Sequence, residues 1–234
     1  MLIPLNSLEG KQRLEESTRG NGNGCVLQRE IVDSFRKQRG NTVCGLASLA
    51  VVLTARTRSL KDNGLFVDED DVYPLTLESQ HDIVSEEKIR KSGMTLDQVR
   101  DLAEALPTTD RAIACFPGTS PSTSKYQTML HELEDLRELV LCVLSKPTNR
   151  EALVLNYHMS TLGQIPFGGH LSPIAAYHSA SDSLLVMDVW HTRTEPIWAP
   201  LEDVWTAISH MDSESQRARG VLHLVHATDS ELKR

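Results

Sequence analysis

The segment of residues 44–56, CGLASLAVVLTAR, is almost entirely apolar and follows a short polar stretch. A helix that is apolar all round must be buried, so this segment predicts a core helix, with Asn41 or Thr42 available to cap its start. A capping threonine and helical spacing predict a further helix at residues 95–105. Residues 129–145 predict another helix, whose last turns could instead be strand. A chain of 234 residues is long enough to bury a sizeable core of this kind.

The C-terminal half changes to short apolar runs bounded by turn residues, which is the pattern of strands. The predicted strands are residues 151–158, 170–178, 183–190 and 220–226, and a helix at 201–211 precedes the last of them. Helices followed by strands indicate an α+β fold. We expect one domain over residues 1–234, in which a helical half (about 1–135) packs on an antiparallel sheet half (about 150–228) along a groove.

Charge and hydropathy exclude several classes of protein. Lys plus Arg number 24 and Asp plus Glu number 32, a net charge of −8, whereas phosphate-rich and anionic-membrane surfaces are bound by positive charge. No run reaches the roughly 18 apolar residues of a membrane span. The first residues, MLIPLNSLEGKQRL, show no basic segment before a long apolar stretch. We therefore expect a cytoplasmic protein that binds neither nucleic acid nor membrane.

Cys44 is the cysteine whose position points to chemistry. It opens the predicted core helix, where partial positive charge and free N–H groups stabilise a thiolate. Cys25, Cys115 and Cys142 have no such position, and we expect them to be structural. None of the four forms a C-x-x-C pair, and no histidine pair has helical spacing with a carboxylate, so we expect no metal bound by protein ligands.

Residues of the predicted sheet are suited to activate this thiol. His170 follows two glycines at the start of a strand, and Asp188 is a lone carboxylate in an apolar run, where it needs a partner. Gln38 precedes the cysteine, and its amide with the Cys44 backbone N–H could hold a tetrahedral oxyanion. The order Gln, Cys, His, Asp is typical of a papain-like thiol acyltransferase or peptidase. The alternative is a core cysteine, a satisfied core histidine and a capping aspartate.

Five separated motifs occur in order along the chain. They are residues 43–49 (VCGLASL), 93–97 (GMTLD), 168–177 (GGHLSPIAAY), 185–189 (LVMDV) and 217–220 (RARG). Over about residues 5–225 the chain therefore resembles the phytochelatin synthase family. The resemblance implies a papain-like fold, with Cys44, His170 and Asp188 as the catalytic triad and Gln38 in the oxyanion hole.

The resemblance also implies a substrate and a reaction. Cys44 would attack the Cys–Gly bond of glutathione, release glycine and leave a γ-glutamylcysteinyl thioester for water or a second glutathione, and we expect hydrolysis to dominate. A heavy-metal ion, Cd or Zn, would enter as a complex of glutathione thiolates, and no tightly bound cofactor is expected. Both a monomer and a homodimer are compatible with the sequence.

Several residues are candidates for binding the substrate. Arg219 and Asp212 match family positions that line the acyl pocket, and an arginine fork suits the α-carboxylate of the γ-glutamyl group. Asn156, at the end of its predicted strand, is a third candidate. His191 stands where the family usually has arginine, and Arg193 is a candidate to supply that positive charge instead.

Two other functions stay open. Another papain-like peptidase or deamidase, acting on a protein, would keep the triad without the γ-glutamyl pocket. A non-enzymatic metal-buffering protein would carry an inactive triad, and the presence of all four residues of the predicted site argues against it.

Overall fold

The computed structural model describes residues 1–19, 24–60, 66–76, 83–119, 124–148, 150–165, 168–192 and 195–227. The α-helices are α1 (Leu8–Arg19), α2 (Arg29–Asp33), α3 (Cys44–Leu60), α4 (Glu69–Val72), α5 (Glu86–Ser92), α6 (Leu96–Glu104), α7 (Leu133–Leu144) and α8 (Leu201–Ser209). The strands are β1 (Ile3–Pro4), β2 (Val26–Leu27), β3 (Thr109–Pro117), β4 (Gln127–Leu130), β5 (Glu151–His158), β6 (Gly169–His178), β7 (Ser183–Val186), β8 (Ile197–Pro200), β9 (Met211–Asp212), β10 (Arg217–Ala218) and β11 (Gly220–His226).

One large mixed sheet organises the molecule. Its strand order is β1-β8-β7-β6-β5-β11-β3-β4, and β2 pairs with the end of β6. Neighbouring strands are antiparallel except for β3 and β4. β9 and β10 form a separate hairpin. The α+β class is confirmed, and β5 and β11 match the strands predicted at residues 151–158 and 220–226.

Helices cover both faces of the large sheet. The apolar residues of α3 and α6 join one core cluster with one face, and those of α7 and α8 join a second cluster with the other face. The reason lies in the strands, because β5 is buried at every position from Ala152 to Tyr157 and so presents apolar side chains to both sides. The structure therefore has three layers instead of the two that the sequence predicted.

The predicted division of the chain near residue 135 is wrong. β3 and β4 lie in the half predicted to be helical, yet β3 pairs with β11 and extends the same sheet. The predicted helix at residues 129–145 begins only at Leu133, because Met129 and Leu130 complete β4. The sequence did not predict β3 as a strand, because its first half is polar and exposed and only its second half is buried.

Helix α3 is the predicted core helix, and its contacts bring Cys44, at the start of α3, close to the start of β6, which carries His170. Gly45 lets α6 approach closely, because a Cβ there would lie 2.8 Å from Val99 Cγ2. Ser48 Oγ donates a hydrogen bond of 3.0 Å to the Leu171 carbonyl of β6. The start of α3 is thereby held against the start of β6. Among the described residues, none of the helices is both long and apolar enough to cross a membrane.

His226 closes β11 as a buried neutral imidazole. The side chain is 3% exposed, and the hydrogen bond of the Thr108 backbone is too weak to offset the burial of the ring. Burial, together with the charge of Arg56, lowers the pKa of His226 from 6.5 to about 3. The folded protein therefore excludes a proton that the unfolded chain binds below about pH 6.5.

We expect His226 to make the fold less stable in mild acid. The folded pKa lies below the unfolded value, so its contribution is complete above pH 6.5 and is lost progressively as the pH falls toward 3. His226→Leu removes this titration. Between pH 6 and 5, the free energy of unfolding of the wild type should fall relative to the variant by up to about 1.4 kcal/mol per pH unit. Urea titrations at each pH measure the difference, and a constant difference would contradict the prediction.

Candidate active site

Cys44, His170 and Asp188 meet where α3 and β6 begin. His170 Nε2 and Asp188 Oδ1 are 3.0 Å apart, and the two side chains are 1% and 0% exposed. Because Nε2 is taken by the carboxylate, the other ring nitrogen, Nδ1, serves the hydrogen bond that His170 shares with the Cys44 thiol. The structure thus brings the three predicted residues together.

The Cys44 thiol and the His170 imidazole shift each other's pKa in the directions that favour a thiolate–imidazolium ion pair. Burial raises the pKa of the Cys44 thiol, but the hydrogen bond and charge of His170, with backbone hydrogen bonds of Leu171 and Gly45, outweigh it and leave the pKa below its ordinary value. Burial lowers the pKa of His170, while Asp188 and the thiolate raise it and prevail. A thiolate beside an imidazolium is the nucleophilic form of such a pair.

The Asp188 carboxylate accepts hydrogen bonds on both oxygens. Oδ1 accepts from His170 and also from the Trp190 backbone N–H at 2.9 Å. Oδ2 accepts from Gln164 Nε2 at 2.5 Å. Burial raises the pKa of Asp188, but the hydrogen bonds and the charge of His170 outweigh burial and keep the pKa below its ordinary value. The carboxylate is therefore ionised and fixed in orientation.

Asp188 lies beyond β7, so the strand predicted at residues 183–190 is too long. The Met187 N–H donates to the Pro173 carbonyl of β6 at 2.9 Å. Pro173 has no N–H to return, and the ladder between the two strands ends there. The released chain turns so that the Trp190 N–H reaches the Asp188 side chain, a turn that aspartate favours. This turn aims the carboxylate at His170.

Two aromatic rings restrict the rotation of the imidazole. Tyr157 lies opposite His170 in the register of β5 and β6, and the two rings meet edge to face with centroids 5.7 Å apart. Trp190 makes a second edge contact at 5.8 Å. Nothing in the local sequence of β5 distinguishes Tyr157 from a core tyrosine, since its role depends on the register between strands.

Gln38 lies beside the segment that carries the aspartate. Its backbone N–H donates to the Val189 carbonyl at 2.7 Å, and its side-chain amide donates to the Gly40 carbonyl. The Gln38 Oε1 atom is buried and has no hydrogen-bond partner among the described residues. The oxyanion role of Gln38 remains a prediction.

A cleft of about 240 Å³ opens from the thiol and the imidazole. One wall comes from the loop before Cys44 and from the segment between α5 and α6, and the other comes from β5, β6 and the β9–β10 hairpin. The lining residues besides the thiol and imidazole are Asn41, Thr42, Ser92, Gly93, Met94, Asn156, Gly169, Leu171, Asp212, Ser213, Glu214 and Arg219.

Arg219 brings a buried cation to this cleft. The side chain is 10% exposed, and its Nη2 atom is 3.4 Å from Asp212 Oδ1. Its Nη1 atom donates to Asn156 Oδ1 at 3.3 Å. Burial lowers the pKa of Arg219, and the charges of Asp212 and Cys44 oppose that shift. Three of the four predicted substrate-binding residues therefore meet, whereas Arg193 lies outside the described residues.

His191 links the two segments that carry the nucleophile and the carboxylate. Its Nε2 atom lies 2.7 Å from Asn41 Oδ1, in the loop before Cys44. Its ring stacks on Trp190 with centroids 4.8 Å apart. All four cysteines are free, and in the part of the chain that is described no group of three or more His, Cys, Asp or Glu residues is placed to hold a metal ion.

A cysteine at the start of a buried helix faces a histidine–aspartate pair on the sheet, and this arrangement is typical of the class of papain-like thiol enzymes. The family model described as phytochelatin synthase matches residues 1–221. The chain belongs to the phytochelatin synthase family.

Curated relatives agree with this assignment. Glutathione gamma-glutamylcysteinyltransferase 1 of Triticum aestivum is 29% identical over 227 residues, covering 94% of this chain and 40% of the wheat protein. Glutathione gamma-glutamylcysteinyltransferase 1 of Arabidopsis thaliana is 26% identical over 229 residues, with 94% and 41% covered. The chain thus spans about two fifths of the length of these relatives.

A solved structure is also similar in part. Xylellain, a cysteine protease from Xylella fastidiosa, matches with a TM-score of 0.45 and 12% identity, over 83% of this chain and 82% of the protease.

Proposed function

We propose that this protein is a glutathione γ-glutamylcysteinyltransferase that releases glycine from glutathione. The observation that carries the proposal is the buried Arg219–Asp212 pair in the same cleft as the Cys44–His170 pair. Membership of the phytochelatin synthase family supports the same substrate. Where a heavy-metal ion takes part, glutathione thiolates are its ligands and the ion enters as part of the substrate.

The charged residues suit the γ-glutamyl end of glutathione. That end carries an α-carboxylate and an α-ammonium group, so its recognition needs a cation and an anion side by side. Arg219 offers a planar fork to the carboxylate, and Asp212 and Asn156 offer oxygens to the ammonium. With a net charge of −8, the protein needs such a local cation to bind an anionic tripeptide.

Acylation follows from the geometry of the thiol and imidazole. The Cys44 thiolate attacks the carbonyl carbon of the Cys–Gly bond, and the carbonyl oxygen becomes a tetrahedral oxyanion. When the oxyanion collapses, the C–N bond breaks and His170 gives its Nδ1 proton to the departing glycine amine. A γ-glutamylcysteinyl thioester remains on Cys44, and His170 is neutral.

Deacylation uses the same imidazole as a base. Neutral His170 takes a proton from water or from the amine of a second glutathione, which attacks the thioester carbonyl. Water yields γ-glutamylcysteine, and glutathione yields the chain-extended peptide. The Cys44 thiolate leaves in either case. Four free thiols fit a reducing compartment, and we place the protein in the cytoplasm.

The test is release of free glycine from glutathione by the purified protein, measured with and without Cd or Zn. A peptide panel that includes Cys-Gly and γ-Glu-Cys-Gly compares substrates with and without the γ-glutamyl group. We expect glycine only from the γ-glutamyl peptide, with γ-glutamylcysteine as the main second product. Absence of glycine under every condition, or equal cleavage of unrelated peptides, would refute the proposal and favour a general peptidase.

Gly169 controls the position of the guanidinium group, and this gives a second prediction. A Cβ at this position would lie 2.0 Å from Arg219 Nη1 and 2.7 Å from Cζ. We expect Gly169→Ala to displace the fork from Asn156 and to raise KM for glutathione about tenfold, the loss of roughly one charge-assisted hydrogen bond. Steady-state kinetics measure KM. Gly168→Ala is the neighbouring comparison, since a Cβ there meets no atom within 4 Å, although its φ of 109° makes the backbone strained.

A further inference from the structure

We propose that Gln164 is a positioning residue for the Asp188 carboxylate and that the Tyr157 hydroxyl in turn holds Gln164. The triad then forms the end of a longer buried chain of polar groups. The inference concerns how the thiol is activated in the proposed acyl transfer, and it rests on contacts outside the substrate cleft.

The contact between Gln164 and Asp188 is short and buried. Gln164 is 8% exposed, and its Nε2 atom lies 2.5 Å from Asp188 Oδ2. An ionised carboxylate only accepts hydrogen bonds, so the amide nitrogen must face it and Oε1 must point away. Gln164 therefore donates to Oδ2, the carboxylate oxygen of Asp188 that does not accept from His170 or Trp190.

The turn after β5 places this amide. The Gln164 N–H donates to the Met159 carbonyl at 2.9 Å, and Leu162 N–H donates to the His158 carbonyl at 3.1 Å. Gly163 completes the turn with φ of 87°, which glycine adopts without strain. The backbone of Gln164 is thus anchored to the end of the strand that carries Tyr157, and its side chain spans from this strand to the loop after β7.

Three buried oxygens lie behind this contact without direct hydrogen-bond partners among the described residues. They are Gln164 Oε1, Tyr157 Oη and Ser172 Oγ. Tyr157 faces His170 across the β5–β6 ladder, and Ser172 lies two residues further along β6 on the same face. Burial and the charge of Asp188 raise the pKa of Tyr157, and the nearby polar side chains of Ser172 and Gln164 oppose this rise.

One direction of the hydrogen bonds gives each of these oxygens a partner. Gln164 Oε1 can only accept, and we assign the Tyr157 hydroxyl as its donor, directly or through one buried water. The phenol oxygen is then free to accept from the Ser172 hydroxyl. The resulting order is Ser172 to Tyr157 to Gln164 to Asp188, and every buried oxygen in it gains a partner. Buried polar groups left unpaired would cost stability.

Loss of the Gln164 donor has a defined chemical consequence. Asp188 Oδ2 becomes a buried charged oxygen without a partner, so the carboxylate is less stable and less firmly oriented. His170 then holds its proton less well, and the Cys44 thiolate is less favoured at low pH. The effect appears in the reactivity of the thiol itself and needs no substrate.

The test is the rate of Cys44 alkylation by iodoacetamide between pH 4 and 9, followed on the Cys44 peptide by mass spectrometry. For Gln164→Leu we expect the acid limb of the profile to move up by about one pH unit, so that rates measured on that limb fall about tenfold. For Tyr157→Phe we expect a shift in the same direction that lowers the rates on the acid limb about threefold. Because Tyr157 acts through Gln164, the double variant should match Gln164→Leu.

Matched controls separate positioning from general damage. Gln127→Leu removes an amide that donates to Asp97 at 3.0 Å, and Tyr177→Phe removes a hydroxyl that donates to Asp182 at 2.8 Å. Both should leave the alkylation profile unchanged.

A Gln164→Leu profile that coincides with the wild type, or a double variant whose effects add, would overturn the proposal. If near-UV circular dichroism shows that Gln164→Leu does not fold, the test rests on Tyr157→Phe. An alkylation profile of Tyr157→Phe that is unchanged from the wild type would then overturn the proposal. The alkylation assay uses iodoacetamide and contains no glutathione. If the protein released no glycine from glutathione, the proposed function would be refuted, but the alkylation result would still stand.

Discussion

Cys44→Ser should lower glycine release from glutathione by at least about a thousandfold, because the reaction loses the atom that attacks the carbonyl. His170 stabilises the anionic form of this thiol and lowers its pKa, and the thiolate is the form that attacks carbonyl carbon. A serine hydroxyl in the same place does not ionise near neutral pH and cannot replace it. Initial rates of glycine formation at saturating glutathione give the ratio.

The control for this variant is Cys142→Ser. Cys142 is free and exposed, whereas Cys44 is free and buried. Cys142→Ser therefore makes the same replacement of sulfur by oxygen at a position outside the cleft. We expect its activity to match the wild type within about a factor of two, since surface substitutions change little. Equal losses in the two variants, or full activity of Cys44→Ser with an unchanged circular dichroism spectrum, would remove Cys44 from the proposed role.

Arg219→Met should lower kcat/KM for glutathione by about a hundredfold, mainly through KM. The substitution keeps the length of the side chain but removes the fork that contacts Asp212 and Asn156. Asp212 is then a buried anion without its cation and repels the α-carboxylate of the substrate. Alkylation of Cys44 by iodoacetamide should change far less, because the imidazole partner of the thiol is intact.

A neighbouring arginine provides the comparison. Arg217 pairs with Asp97 at 3.1 Å, with side chains 34% and 29% exposed, and it stacks on Phe116 with its Cζ 3.7 Å from the ring centroid. Arg217→Met removes a charge from the β9–β10 hairpin, two residues before Arg219 and outside the residues that line the cleft. We expect a change of at most about threefold. Similar KM values for the two variants would show that the hairpin, and not the Arg219 fork, determines binding.

The positions of the predicted catalytic residues were within reach of sequence reasoning because each has a local signature. Cys44 opens an apolar helix, His170 follows a pair of glycines at a strand start, and Asp188 is a lone charge in an apolar run. Those signatures are set by neighbours a few residues away. The strand predicted around Asp188 is too long because the end of the real strand depends on Pro173. This residue of the partner strand offers no N–H.

Gln164 and Tyr157 had no such signature. Gln164 is one polar residue in a turn, and its contact with Asp188 bridges 24 positions of the chain. Tyr157 reads as an ordinary core residue until the register of β5 and β6 sets it opposite His170. A shift of that register by one residue would turn Tyr157 to the other face of the sheet, so only the assembled ladder defines its neighbours.

The sequence by itself determined the buried helix α3, the main strands and the α+β class, because hydrophobic periodicity and capping act over a few residues. It also singled out Cys44, His170 and Asp188, which meet where α3 and β6 begin. The tertiary structure decided that helices cover both faces, that β3 and β4 join the sheet, and that Arg219 meets Asn156 and Asp212. Those outcomes depend on strand order and register between distant segments, where the energy comes from packing rather than local preference.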